Sequence, residues 1–379
     1  MLACISVSAA SEGTCGDSVA WQFGDDGKLT VSGSGAMDNW SNGASVPWYS
    51  CRGSIKTVVI LDGVTSIGSN AFYNCTKLTS VNIPDSVTTI GNHAFNRCSG
   101  LTGITIPKSV TSIGASAFAS CSTLSSITIS DGVVSIGEKA FSGCSGLTSV
   151  KISKSLSSIG AYAFENCKML TSVYITDLEA WCRIKYSHKT AAPLNVVGGD
   201  LYIDDMLAVD IVIPEGITSI NGYAFSGCSS IKSVTIPDSV TSIGTYAFLN
   251  CSSLEKATIP KSVTDFGRSV FSNTSADFTI HGFTDSEAET YAENNSHNFT
   301  VITDWNGVVG DADGDGRTNS VDLVYLQRYL AGWTGYDTAK VSLPALDLNL
   351  DSAINADDAT ILARYIAKWK GYETLPISF

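Results

Sequence analysis

The sequence has 379 residues, of which 44% are hydrophobic and 16% are charged, and its formal net charge is −13 at pH 7. A chain this apolar and this sparsely charged folds around a core, which excludes a disordered protein. The negative charge argues against a protein that binds nucleic acid or an anionic membrane surface. No run of about 18 apolar residues is present to span a bilayer.

The chain begins with an apolar stretch that ends in small side chains, Met1–Ala10. This pattern is typical of the end of a secretory signal, although the stretch is short and no basic segment precedes it. We interpret residues 1–12 as a signal-peptide remnant and expect the protein to be secreted.

Residues 13–54 lack the repeat that follows them. Val19–Phe23 and Lys28–Ser32 alternate apolar and polar residues around an Asp-Gly turn, which predicts a β-hairpin. Such a hairpin would cover the open edge of the first repeat, as terminal repeats require. We therefore expect an N-terminal β cap, with a small core made of Trp40, Pro47, Trp48 and Tyr49.

From residue 55 a 23-residue unit recurs, and Val64–Pro84 shows it in full. A fixed period of this length indicates a solenoid, because one unit cannot bury its own apolar face and stacking supplies the cover. Within the unit, Leu78–Ile83 predicts a strand, Gly68 predicts a bend, and Asn70–Cys75 predicts a single helical turn. The recurring side chains are Phe72, Phe95, Phe118, Phe141, Phe164, Phe225, Phe248 and Phe271, with Cys75, Cys98, Cys121, Cys144, Cys167, Cys228 and Cys251.

This unit resembles the BspA-like class of leucine-rich repeat, which occurs in secreted bacterial surface proteins. The resemblance covers residues 55–302 and implies an α+β repeat solenoid. Residues 174–213 interrupt the pattern but keep strand-like runs, so we expect divergent coils there and no inserted domain. A candidate N-cap followed by acidic residues predicts a capping helix over residues 285–294.

The cysteine column is a packing feature of the repeat. We expect small, buried, reduced thiols, each able to donate weakly to a loop carbonyl. Cys15 and Cys51 lie outside the column, and the sequence leaves open whether they form a disulfide.

The outward positions of the predicted strands carry small hydroxylated side chains, which suit a solvated sheet face. A partner surface normally shows aromatic residues and arginine, and only Tyr174 offers one in this row. The sequence therefore identifies no ligand, protein or polysaccharide, for the solenoid. The outward residues are Thr79, Ser80, Asn82, Thr102, Gly103, Thr105, Ser125, Ser126, Thr128, Thr148, Ser149 and Lys151.

The composition changes after a short linker at residues 303–309. Two segments, 36 residues apart, place oxygen-bearing side chains at loop positions 1, 3, 5, 9 and 12 and a backbone carbonyl at position 7. Calcium takes about six to eight oxygen ligands in a loop of this kind, so we expect two Ca²⁺ ions. The predicted ligands are Asp311, Asp313, Asp315, Arg317, Asn319 and Asp322 in the first loop, and Asp347, Asn349, Asp351, Ala353, Asn355 and Asp358 in the second.

A helical pattern follows each loop, and Leu326 with Leu362 and Tyr329 with Tyr365 recur at the same offset. Two loop-helix motifs of this kind resemble the type I dockerin, a small all-α module, over residues 310 to about 372, and we assign residues 310–379 to this domain. The resemblance implies a cohesin domain of a scaffoldin as partner. In dockerins the partner surface lies at loop positions 10 and 11 and on the following helix, which here gives Ser320, Val321, Gln327, Arg328, Ala356, Asp357, Ala363, Arg364 and Lys368.

No catalytic constellation stands apart from the repeat. Cys182 and His188 supply a thiol and an imidazole without a third group to orient them. We interpret the chain as a non-catalytic, secreted component of a cellulosome-type assembly, in which the dockerin docks and the solenoid presents an interaction surface. The alternatives are a cell-surface adhesin, and an enzyme or enzyme inhibitor that acts through the solenoid face.

Overall fold

The computed structural model describes residues 11–195, 198–302, 318, 320–331, 346–348 and 354–366. Residues 34–195 and 198–302 form a solenoid with two columns of short strands, because most repeats contribute one strand from their start and one from their end. One coil has only an isolated bridge, between Thr105 and Thr128, in place of the end strand. The sequence predicted the end strand and missed the start strand, which spans only two residues in most coils.

The end-strand column contains β5 (Thr57–Ile60), β7 (Ser80–Asn82), β10 (Ser126–Ile129), β12 (Ser149–Ile152), β14 (Ser172–Ile175), β16 (Asp200–Ile203), β18 (Asp210–Val212), β20 (Ser233–Thr235), β22 (Lys256–Thr258), β24 (Thr279–Gly282) and β25 (Asn298–Val301). The start-strand column contains β4 (Gly35–Ala36), β6 (Val64–Ile67), β8 (Thr89–Ile90), β9 (Ser112–Ile113), β11 (Ser135–Ile136), β13 (Ser158–Ile159), β15 (Lys185–Tyr186), β19 (Ser219–Ile220), β21 (Ser242–Ile243) and β23 (Asp265–Phe266).

Neighbouring coils pair in parallel and in register. Ile127 of β10 lies opposite Val150 of β12, and Ile67 of β6 lies opposite Ile90 of β8, a shift of one repeat in each case. Equivalent side chains therefore stack directly on one another along the solenoid. The buried columns of Ile, Val, Leu, Ala, Phe and Cys merge into one continuous core.

The phenylalanine column shows how tightly the coils stack. Phe95, Phe118 and Phe141 are fully buried, and their ring centroids lie 5.3 and 5.5 Å apart with nearly parallel planes. This offset stacking suits aromatic rings and adds to the apolar area that each ring removes from water. A second run of the same stack joins Phe225, Phe248 and Phe271.

The predicted helical turn is wrong. Over Gly68–Cys75 the chain makes linked turns, in which Ala71 donates its N–H to the carbonyl of Gly68 at 3.2 Å. Every second N–H group in this segment donates to a carbonyl of the next coil instead, as the N–H of Phe72 does to the carbonyl of Ala94 at 2.7 Å. A helix would direct all of these donors back along its own axis, so the stacked coils favour turns that share donors with their neighbours.

Two positions in each of these turn segments adopt the left-handed conformation, as at Asn70 (φ 62°) and Asn74 (φ 60°). This conformation costs a non-glycine residue about 1–2 kcal/mol, and a hydrogen bond to the next coil contributes about 0.5–1.5 kcal/mol in return. The two columns are Asn70, His93, Ser116, Lys139, Tyr162, Tyr223, Tyr246 and Ser269, and Asn74, Arg97, Ser120, Gly143, Asn166, Gly227, Asn250 and Asn273.

The cysteine column matches its prediction. The Cys121 thiol donates to the carbonyl of Phe95 at 3.2 Å, and Cys98, Cys144, Cys167 and Cys251 make the equivalent bond one coil apart. Burial raises the pKa of the Cys121 thiol to about 12, so the thiol stays protonated and can donate. Every cysteine in the described part of the chain is free, including Cys15 and Cys51.

The N-terminal segment forms an antiparallel meander of β1 (Ser11–Gly16), β2 (Val19–Phe23) and β3 (Lys28–Gly33), and β3 pairs in parallel with β5. The predicted hairpin is β2 and β3. Ser11 and Glu12, which the sequence assigned to the signal remnant, pair with Phe23 and Gln22 instead. The remaining residues of that remnant lie outside the described part of the chain.

Trp48 begins the aromatic stack. It is fully buried, stacks on Phe72 at 5.6 Å, and donates its Nε1–H to the carbonyl of Ala71 at 2.8 Å. Trp40 packs against its edge, as predicted. Pro47 and Tyr49 were wrongly assigned to this core: both are exposed, because the neighbours of Trp48 point to the opposite side.

The divergent segment continues the stack with one enlarged coil. β14 pairs with β16, and β13 pairs with β15, in the parallel register of the other coils. Helix α1 (Leu178–Cys182) fills the added length and buries Trp181 and Cys182. Strand β17 (Met206–Leu207) then folds back antiparallel on β16, and β18 starts a new sheet.

Helix α2 (Glu287–Asn294) precedes the last strand of the solenoid, β25, and its N-cap Ser286 accepts a hydrogen bond from the N–H of Glu289. Its buried residue Tyr291 stacks on Phe266 at 4.6 Å, which places the helix over the end of the core. The later helices are α3 (Ser320–Leu330) and α4 (Ala356–Ile366), and short 3₁₀ turns lie at Arg52–Ser54, Lys189–Ala191 and Pro193–Asn195.

Replacing Phe118 with alanine should lower the free energy of unfolding by about 3–5 kcal/mol, because it opens a cavity between two stacked rings. Urea denaturation of the purified protein measures this. The exposed substitution Ser125→Ala is the control and should change stability by less than about 0.5 kcal/mol. Equal effects of the two substitutions would contradict the stacked core.

The solenoid should lose stability as the solution is acidified, because burial lowers the pKa of the His297 imidazole, which packs against Phe278 and Tyr291. Below pH of about 6.5 the unfolded chain binds more protons than the folded chain, so stability falls as pH falls toward the folded pKa. Replacing His297 with phenylalanine should flatten this dependence. Urea midpoints between pH 7.5 and 5.5 test it, and an unchanged slope would count against the effect.

Candidate functional site

Two helices of equal length carry the duplicated part of the C-terminal segment, and α4 repeats α3 at an offset of 36 residues. Asp322 and Asp358 are equivalent, each being the third residue of its helix, and both are 0% exposed. A small core holds the helices together, and it is separate from the core of the solenoid. Its buried members are Leu326, Leu346, Leu348, Ile361 and Leu362.

Asp358 organises the backbone in front of α4. Its Oδ1 accepts the N–H of Leu348 at 2.7 Å, and its Oδ2 accepts the N–H of Asn355 at 2.8 Å. Each carboxylate oxygen has a further lone pair, so both can also face a cation. Asn355 caps the helix by accepting the N–H of Asp357 at 2.7 Å, and the helix N-terminus adds positive potential near both oxygens.

The structure describes only part of the predicted calcium ligand set. Asp322, Asp347, Asn355 and Asp358 lie among the described residues, and carboxylate and amide oxygens of this kind are ones that calcium prefers. Two of these carboxylates are fully buried, which an ion would compensate, so the residues fit the group. The other ligands lie outside the described residues: Asp311, Asp313, Asp315, Arg317, Asn319, Asn349, Asp351 and Ala353.

Among the described residues no group of three or more His, Cys, Asp and Glu side chains is arranged to hold a metal ion. The predicted loops lie mostly outside that part, so the calcium ligands stay a prediction. The backbone role of Asp358 was not foreseen from the sequence, since its partner Leu348 belongs to the loop preceding the helix.

All but one of the predicted partner-binding residues lie on the two helices. Gln327, Ala356 and Asp357 are exposed, and Arg328 and Ala363 are half-buried, because the same helices turn Leu326 and Leu362 into the small core. Ser320, Val321 and Arg364 belong to the helices by their backbone, and Lys368 lies outside the described residues. The structure does not test this surface, which stays a prediction.

The outward face of the end-strand column is a second candidate surface. The predicted hydroxylated residues are exposed or, for Ser149, half-buried. One stretch differs: Tyr174 of β14 lies opposite Tyr202 of β16, with ring centroids 4.6 Å apart and an interplanar angle of 17°. The sequence missed Tyr202 because the enlarged coil conceals its register, although Val173-Tyr-Ile175 and Leu201-Tyr-Ile203 share a pattern.

Cys182 and His188 do not form a catalytic pair. Cys182 is buried in α1, and burial raises the pKa of its thiol, which disfavours the reactive thiolate. His188 instead hydrogen bonds to the Thr190 hydroxyl at 2.9 Å and packs its ring against Tyr162.

Comparison with protein-family models identifies two regions of the chain. The BspA type leucine rich repeat region matches residues 47–178 and 204–305, in six copies. The chain belongs to the BspA-type leucine-rich-repeat family. The dockerin type I domain matches residues 309–367 of this leucine-rich-repeat protein, so its two recognised parts are interaction modules.

Solved structures with a similar chain are bacterial leucine-rich-repeat proteins. One from Eubacterium ventriosum is 24% identical, with 73% of each chain covered and a TM-score of 0.47. A leucine-rich cell surface protein from Faecalibacterium prausnitzii is 25% identical, with 75% of this chain and 97% of that chain covered and a TM-score of 0.36. No curated protein matches this chain.

None of the helices in the described ranges is long and apolar enough to cross a membrane.

Deleting residues 310–379 should leave the solenoid folded, because the solenoid core and the core between α3 and α4 share no residue. Stacked repeats take their stability from nearest neighbours, so a distal module contributes little. The melting temperature of the truncated chain should match that of the solenoid transition in the full chain. A large fall would show that the C-terminal segment packs against the solenoid.

Proposed function

We propose that this protein is a non-catalytic, secreted component of a cellulosome-type assembly. Its dockerin binds a cohesin domain of a scaffoldin in a calcium-dependent way, and its solenoid presents an interaction surface. The observation that carries the proposal is the dockerin type I match over residues 309–367, which coincides with the duplicated helices and their buried aspartates.

The calcium dependence rests on the charge of the two loops. Asp322 and Asp358 would each close one loop, together with the loop oxygens before them, and Asn355 would add an amide oxygen. Bound Ca²⁺ supplies the positive charge that lets these carboxylates lie close together. Asp358 meanwhile ties Leu348 to the start of α4, so the loop and the helix are coupled.

The cohesin surface follows from the fixed orientation of the helices. With Leu326 and Leu362 turned inward, the outward residues of α3 and α4 form the proposed partner face, including Gln327 and Ala363. The two halves differ at the start of their helices, where Ser320-Val321 is replaced by Ala356-Asp357. The aspartate there adds a charge that the first half lacks, so the halves would bind a cohesin with different affinity.

The alternative functions lack a comparable observation. Cys182 is a buried thiol whose pKa is raised by burial, and His188 hydrogen bonds to Thr190, which does not favour an enzyme. A cell-surface adhesin would use the solenoid alone and would leave the dockerin without a partner.

Binding of a purified type I cohesin to the full chain, measured by calorimetry, tests the proposal. We expect binding in calcium and its loss in excess chelator. Asp358→Asn should weaken calcium binding to the second loop and lower the affinity of the chain for cohesin by about tenfold or more. The control Asp265→Asn removes an exposed carboxylate from β23 and should change neither calcium binding nor cohesin affinity. Unchanged cohesin binding in chelator, or no binding in calcium, would contradict the proposal.

A further inference from the structure

One row of side chains on the solenoid differs from its neighbours. Along the outward face of the end-strand column, register places Lys151, Tyr174, Tyr202 and Leu207 side by side on four adjacent strands. We call these four residues the tyrosine row. The equivalent positions in the other coils carry no tyrosine: two are the half-buried valines Val59 and Val212, and the rest are Asn82, Thr105, Thr128, Thr235, Thr258, His281 and Thr300.

The sheet break explains why the row ends where it does. β17 folds back on β16 through a two-residue turn, in which Asp204 and Asp205 both have positive φ, and β18 starts a separate sheet. Leu207 is therefore the last side chain of the row, and it is 47% exposed. An exposed leucine beside two half-exposed tyrosines is the composition of a protein contact and not of a solvated sheet.

Carboxylates border the row. Asp200 lies two residues before Tyr202 on the same outward face, Asp204 and Asp205 form the turn, and Asp210 begins β18. Lys151 forms an ion pair with Asp205 at 3.7 Å and is the cation of the row. The charge of the border is thus negative on balance, which favours a cationic partner.

The ring geometry selects the class of partner. A sugar stacks on an open aromatic face, but Tyr174 and Tyr202 cover one face of each other, and their outer faces are flanked by Lys151 and Leu207. The stacked rings offer edges and hydroxyls, which suit a peptide backbone and aliphatic side chains. A protein segment fits this arrangement better than a polysaccharide.

We propose that the tyrosine row is the docking site for a protein segment that carries lysine or arginine together with apolar side chains. The apolar side chains would pack on Tyr174, Tyr202 and Leu207, and the cations would face the bordering aspartates. This inference rests on the proposed function, since it specifies the interaction surface that the solenoid presents.

A short synthetic peptide in which lysine and leucine alternate is the probe, and the full chain is titrated with it by calorimetry. Replacing Tyr202 with alanine should weaken peptide binding by about tenfold or more, as for a buried aromatic contact. Tyr246→Ala is the matched control, because Tyr246 is another half-buried surface tyrosine of the solenoid, and it should leave the affinity unchanged. Replacing Asp204 and Asp205 with asparagine should weaken binding and reduce its dependence on salt.

Three outcomes would overturn the inference: no binding of the peptide, equal losses in the Tyr202 and Tyr246 variants, or equal affinity for a peptide in which glutamate replaces lysine. Binding of cellohexaose that Tyr202→Ala abolishes, without peptide binding, would assign the row to a polysaccharide instead. Cohesin binding by the same variants is measured in parallel and should be unchanged, so a failed docking site is separable from a failed dockerin.

Discussion

The in-register contact between successive coils is the constraint on which the solenoid depends. Residues one repeat apart lie directly over each other, so a side chain that packs well on its own copy can be repeated along the whole stack. Phe118 between Phe95 and Phe141 shows the result, with nearly parallel rings at the spacing of the coils. Because each contact is with a neighbour only, the stack tolerates variation in coil length as long as the register returns.

The same contact determines the backbone between the two strand columns. Alternate N–H groups leave the coil to reach the next one, and this holds residues such as Asn70 and Asn74 in the left-handed region. Lysine, tyrosine and arginine also occupy these positions, so the conformation is imposed by the stack and not by the side chain. The thiols bond to carbonyls that already accept a backbone N–H: the carbonyl of Phe95 accepts both the N–H of Cys98 and the thiol of Cys121, which lies one coil further on.

The enlarged coil is where regularity gives way to a distinct surface. Helix α1 and the β16–β17 hairpin lengthen the coil, yet β14 and β16 keep the parallel register. That retained register places Tyr174 against Tyr202, and the hairpin adds Leu207 beside them. The repeat thus acts as a rigid support that positions a few unlike residues, whereas the C-terminal module has a small core of its own.

The sequence by itself determined the repeat, its period, the buried phenylalanine and cysteine columns, and the two C-terminal helices, because each depends on spacing within one chain segment. It misassigned Asn70–Cys75 as a helical turn, since the hydrogen bonds that shape that segment go to another coil and leave no local signal. The sequence also predicted that Pro47 and Tyr49 belong to the core of the N-terminal cap, whereas both are exposed. The tyrosine row required the tertiary structure, because the fold brings its residues together across a break in the repeat. The two hydrogen bonds that Asp358 accepts, from Leu348 and Asn355, also required it, because they join the helix to the loop before it.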